Sequence, residues 1–144
     1  METKLTYPFD VAFEHGHSID YVCHHGEDHH YAKKLGYETE MHSDCSYSAK
    51  GLRGLSFTSY GDWGTLYTDS ASEESKKMFL DMYNGGLIKL WRIRAYIHDK
   101  EGNCITYDYE EGKGWITYNG EQWINCEDPF PKYYLMDSSS LSLF

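Results

Sequence analysis

The sequence has no run of about 18 or more consecutive apolar residues, so no segment reads as a membrane-spanning helix. Its opening stretch, METKLTYPFD, lacks the apolar core of a secretion signal, and a cytoplasmic location is the expectation that follows. It contains no G-x-S-x-G, no G-x-x-x-x-G-K-[ST] and no G-x-G-x-x-G. Serine-elbow hydrolysis, phosphate-loop chemistry and dinucleotide binding are therefore without their sequence support. Basic residues are scarce, 13 Lys and Arg against 23 Asp and Glu, for a net charge of −10. A broad phosphate-gripping face needs Lys and Arg, so direct nucleic-acid binding is disfavoured and a partner with a basic surface is the better match. Phe is scarce as well, 6 against 14 Tyr and 4 Trp. Tyr and Trp join an apolar ring to a polar handle, which suits half-buried sheets and recognition surfaces. Cys23, Cys45, Cys104 and Cys126 form no tight pair of the zinc-ribbon kind. Without a secretion signal, reduced thiols or metal ligands are expected in place of disulfides.

What remains is enough for one domain. A chain of 144 residues can bury roughly two-thirds of its unfolded surface. The pattern places a globular unit over residues 1–136 and a tail over 137–144, with no internal repeat or linker. YPFDVAF (7–13) and SIDYVC (18–23) read as strands. GEDHHYAKKLGY reads as a short helix near 27–35, with acids at its start, Lys33 and Lys34 near its end and Gly36 as its stop. TEMHSDCSYSAKG reads as loop, and LRGLSFTSY and GTLYTD as strands around GDWG. The clearest helix covers 72–84: Ser70 or Ser72 can cap it, NGG ends it, and Met78, Phe79, Met82 and Tyr83 share one face. From residue 87 the period changes to two. Trp91, Ile93, Ala95 and Ile97 fall on one face of a strand, and Arg92, Arg94, Tyr96 and His98 on the other. KEGN and EEGKG turn the chain, and Asn119-Gly120 predicts a type I′ hairpin. The fold class expected is α+β, an antiparallel twisted sheet ending in a C-terminal meander, with one main helix and one short one.

The segment HGHSIDYVCHHGEDHH, residues 15–30, holds six of the eight histidines. His15 and His17 are two apart, as are Cys23 and His25, and two-residue spacing on a strand aims side chains the same way. Those four are the candidate ligands for zinc, with His42 and Cys45 as a further pair and Glu14, Asp20, Glu27, Asp28 and Asp44 as possible orienting acids. The alternative is a solvated, titratable surface: protonating all eight histidines would move the charge from −10 to about −2. Cys45 with His42, or Cys23 with a distant histidine, would be the thiol pairs if there were nucleophilic chemistry.

Arg92 and Arg94 share a strand face and together can grip a carboxylate or phosphate. The competing reading pairs them across the sheet with Asp108 or Glu110. Acids at Asp99, Glu101, Asp108, Glu110, Glu111, Glu121, Glu127 and Asp128 gather on the meander.

The chain ends SLSLF. Leu141, Ser142, Leu143 and Phe144 resemble the short peptide, commonly Gln-Leu-Ser/Asp-Leu-Phe, by which bacterial replication and repair proteins dock on the β sliding clamp. Ser140 stands where the glutamine usually does. The resemblance covers five residues and implies Leu141, Leu143 and Phe144 as groove anchors beyond a flexible DSSS spacer.

The function expected is non-enzymatic: a small acidic binding protein of inhibitor, immunity or adaptor type that acts on a protein partner through its surface, with Arg92, Arg94 and the tail residues Leu141, Leu143 and Phe144 as candidate contacts. Two alternatives stay open. One is a zinc-dependent hydrolase built on His15, His17, Cys23 and His25. The other is an adaptor tethered by the tail.

Overall fold

The computed structural model describes residues 5–23, 27–43, 47–58 and 63–135. In chain order the elements are helix α1 (Phe9–Glu14), strand β1 (Ser18–Cys23), helix α2 (Glu27–Lys34), strands β2 (Thr39–Met41), β3 (Tyr47–Ala49), β4 (Leu55–Ser56) and β5 (Trp63–Leu66), helix α3 (Glu73–Asn84), strands β6 (Ile88–His98), β7 (Cys104–Glu110), β8 (Gly114–Tyr118) and β9 (Trp123–Asn125), and one π-helical turn (Pro131–Leu135). The fold is α+β. Seven strands form an antiparallel sheet in the order β4-β5-β1-β6-β7-β8-β9, and β2 with β3 forms a separate ribbon. Among the described residues no helix is long and apolar enough to cross a membrane.

The helices gather on one face. α3 starts where Ser72 caps it, its hydroxyl accepting from the Ser75 amide at 3.2 Å. Glu73 and Glu74 meet the positive end of the helix dipole. The inward side of α3, Met78, Phe79 and Met82, lies over Ile19 and Tyr21 of β1 and Leu66 of β5. Phe79 meets the Tyr21 ring edge-on at 6.0 Å. Gly64 is required there: a Cβ would sit 2.5 Å from Cζ of Tyr21 and 2.4 Å from the Ser56 carbonyl oxygen.

Four local expectations change. Residues 9–14 are helical, not extended. Pro8 precedes the first turn, where its missing N–H costs nothing, and its carbonyl accepts from Ala12 at 3.0 Å. Phe9 and Ala12 then share a buried side. Phe9 packs edge-on against Tyr109 at 5.8 Å. The polar stretch after Gly36 holds the β2–β3 hairpin, because backbone pairing does not require apolar side chains. The Asn119-Gly120 turn is displaced by one residue. Tyr118 pairs with Trp123, so Gly120 and Glu121 occupy the tip. The Asn119 carboxamide accepts from the amides of Glu121 and Gln122 at 2.8 and 2.9 Å, a local bond that short polar side chains favour in turns. The last change is in β6. The register against β1 slips between Asp20 and Tyr21, which pair with Arg92 and Leu90. Trp91 is the extra residue of a bulge, so it leaves the core face and stands beside Arg92.

Candidate functional site

The face of the sheet away from α1 and α3 carries the unusual chemistry. Strand alternation delivers Asp20 from β1, Trp63 and Thr65 from β5, Arg92, Arg94, Tyr96 and His98 from β6, and Asp108 from β7 to this side. Arg92 donates through Nε to Asp20 at 2.5 Å, and Thr65 donates its hydroxyl to the same carboxylate at 2.7 Å. Arg94 makes a two-point contact with Asp108, Nε to Oδ1 at 2.9 Å and Nη2 to Oδ2 at 2.8 Å. Such forked contacts are the strong, directional kind. This one raises the Arg94 pKa further. Both carboxylates are buried, so the two guanidinium groups are held in place. Of the two acids expected across the strand, Asp108 pairs with Arg94. Arg92 turns instead to Asp20 on the neighbouring strand, while its register partner Glu110 bonds Lys113 at 3.1 Å.

Aromatic rings fill the spaces between the charges. The Arg92 guanidinium lies 4.7 Å from the Trp91 ring centre and 5.7 Å from that of Trp63, and the two indoles meet edge-on at 5.9 Å. A cation over a ring face is drawn to its negative centre. Arg94 lies 5.7 Å from the Trp123 ring, which packs against Tyr118 at 5.6 Å. Trp63, Tyr67, Tyr96, Tyr118 and Trp123 are nonetheless 42–52% exposed. The charges on this face are largely paired, Glu110 with Lys113 among them. Asp20 and Asp108 are matched by Arg92 and Arg94, and Asp99, Glu101 and Glu121 sit at turns. Residue spacing identified the arginines; Trp63, Trp91 and Trp123 were missed, because their partners come from other strands and a bulge sets the facing of one of them.

The histidines divide. His15 and His17 lie in the turn between α1 and β1, not on a strand, and both converge on Tyr134 of the π-helical turn. The His15 ring stacks on it at 3.8 Å, and His17 Nε2 is 2.6 Å from its hydroxyl. Cys23 is six residues beyond His17 along a strand, which at the usual rise of a strand puts them on the order of 20 Å apart. Its side chain is buried in the core. Burial pushes its thiol up to about 11, which removes it as a nucleophile at neutral pH. The structure thus brings His15 and His17 together and keeps Cys23 apart; His25 and Cys45 lie outside the described residues. His42 bonds Ser48 at 2.7 Å and His29 bonds Thr39 at 2.9 Å. Among the described residues no three His, Cys, Asp or Glu side chains are grouped to hold a metal. Cys23, Cys104 and Cys126 are free thiols. Leu141, Leu143 and Phe144 lie outside the described residues.

His17 makes a testable contribution. It is buried and stacked on Phe130 at 5.9 Å. Its pKa is pushed down to about 4, mainly by burial and then by His15, with Asp69 opposing. An unfolded histidine titrates near 6.5, so below that pH the unfolded chain binds more protons than the folded one. Stability is therefore full above about 6.5 and falls as the pH drops towards about 4, by up to ~3 kcal/mol from this group. His17→Phe keeps a ring on Phe130 and removes the titration. Urea melts at pH 7 and pH 4.5 should lose more midpoint in the wild type than in the variant; equal losses would exclude His17 as the source.

No family model, curated protein or solved structure matches the chain.

Proposed function

We propose that the protein is a non-enzymatic recognition protein that binds a protein partner through the meander side of the open sheet face. The observation that carries this is the patch of Tyr118, Trp123 and Arg94. Its two rings are 48% and 42% exposed, and its guanidinium is fixed by a buried Asp108. Trp, Tyr and Arg are the residues that dominate binding energy at protein interfaces. Large rings left in water, next to a charge already oriented, give a partner apolar contact area and directed N–H donors without a further ordering cost. Because the patch is charge-balanced, apolar burial is its main source of affinity. The net charge of −10 favours association with a partner that is basic overall.

Trp123→Ala is expected to weaken the complex by about 2 kcal/mol, roughly thirtyfold. The check is quantitative co-purification with the wild type, Trp123→Ala, and Lys76→Ala on the far side in α3. A species retained by the wild type and Lys76→Ala but lost from Trp123→Ala supports the reading. Retention by all three, or by none, overturns it.

A further inference from the structure

At the β5 side the open face deepens into a cleft of about 690 Å³. That volume is in the range usual for small-ligand sites. The cleft shares Arg94 with the partner patch but is lined by neither Tyr118 nor Trp123, and it does not rest on the partner reading. We propose that this cleft binds a neutral saccharide.

The cleft is built in advance. One wall is the His15–His17 turn, held by the His15 stack and the His17 bond to Tyr134. Gly16 in that turn, at φ +78°, packs against Asp69, which lines the cleft beside it: a Cβ there would be 3.4 Å from Asp69 Cα. The floor is Thr65, Asp20, Arg92 and Arg94, all fixed by the bonds already described.

Three features select the ligand class. The first is flat apolar surface. Trp63, Tyr67 and Tyr96 line the cleft with about half of each side chain in water. A pyranose presents a patch of C–H groups on each face that can lie on such rings, and this returns the cost of keeping them hydrated. The second is charge. Arg92 is paired with Asp20 and Arg94 with Asp108, so among the described residues the cleft holds no unpaired cation for an anionic ligand, and Asp69 is left as an acceptor for hydroxyl donors. An anion would meet guanidinium groups already committed to Asp20 and Asp108, inside a chain of net charge −10. The third is directed hydrogen bonding. The side chains of Asp69 and His98 have no hydrogen-bond partner among the described residues, and Arg92 spends only Nε on Asp20. These groups offer acceptors and donors side by side. Vicinal hydroxyls, which donate and accept at once, satisfy both kinds without carrying charge.

The test is saturation-transfer NMR on the full chain at pH 7, with maltotriose, cellotriose and triacetylchitotriose as probes. Transfer to the ring C–H protons of at least one probe is expected. Tyr67→Ala and Asp69→Ala are exposed substitutions, and each should weaken that binding about tenfold with the circular dichroism unchanged. Trp123→Ala should leave it intact, which separates this site from the partner patch. Absence of transfer from all three probes overturns the proposal. So does transfer that survives both cleft variants, or binding of inorganic phosphate that displaces the sugar.

Discussion

Asp28→Ala should lower the unfolding free energy by about 4 kcal/mol, a large share of what a domain of this size holds. The carboxylate is fully buried between α2, β1 and the end of β4. Oδ2 accepts from the Tyr21 hydroxyl at 2.6 Å and from the Thr58 amide at 2.8 Å, while Oδ1 accepts from the Thr58 hydroxyl at 2.8 Å and the His29 amide at 2.7 Å. Truncation strands those donors away from water, at about 1–3 kcal/mol for each one that stays unsatisfied. The Tyr21 hydroxyl is cushioned, since the Ser56 carbonyl oxygen is 3.0 Å away. The Thr58 amide has no second acceptor among the described residues. Urea melts check this, with the slope unchanged and the midpoint moved. A double-mutant cycle with Tyr21→Phe isolates the coupling, because the variants remove the two ends of one bond. A midpoint shift worth under about 1 kcal/mol would show that water reaches the site and that the network is not sealed.

Phe130→Ala is expected to cost about 3–5 kcal/mol. Phe130 is fully buried, and its ring centre lies 4.8 Å from Trp115, 5.6 Å from Tyr134, 5.9 Å from His17 and 6.4 Å from Tyr7. It anchors the segment after β9 beneath the sheet. Asp128 assists by accepting from the Phe130 amide at 2.9 Å and from the Tyr7 hydroxyl. Removing the ring opens a cavity among aromatic neighbours too stiff to fill it. The loss has a second signature. Water admitted beside His17 reduces the burial that depresses its pKa, so the acid sensitivity seen between about 6.5 and 4 should shrink in this variant. A variant with lowered stability but wild-type pH dependence would mean that His17 is shielded by something other than Phe130.

The two predictions concern opposite ends of the chain that meet the same sheet, and together they frame the open face. Asp28 holds the β1–β4 side and Phe130 the meander side. The arginines between them owe their fixed geometry to Asp20 and Asp108, which strands on either side of β6 deliver.

Local periodicity was enough to read α3, α2, β1 and the β6–β9 meander, because in those stretches side-chain pattern, capping and turn residues agree. It was also enough to place Arg92 and Arg94 on one face and to offer Asp108 or Glu110 as their cross-strand partners, since antiparallel pairing follows from a short turn. It failed where a longer-range contact outweighs the local pattern. Phe9, Val11 and Phe13 alternate like a strand, yet a helix starting after Pro8 buries Phe9 and Ala12 on the same side against β1 and β6. Trp91 alternates with Ile93, but a bulge set by the β1 register turns it out to the arginine. Asp28 looks like an ordinary acid in a first helical turn, and only the approach of Tyr21 and Thr58, 7 and 30 residues away, makes it a buried hub. The histidine spacing read as a chelate, whereas Tyr134, 117 residues from His17, decides what those rings do. Residue types and local periods thus determined the fold class and which charges share a face. Only the tertiary structure decided which of them are paired, buried or left open to a ligand, because each of those states depends on a neighbour supplied by another part of the chain.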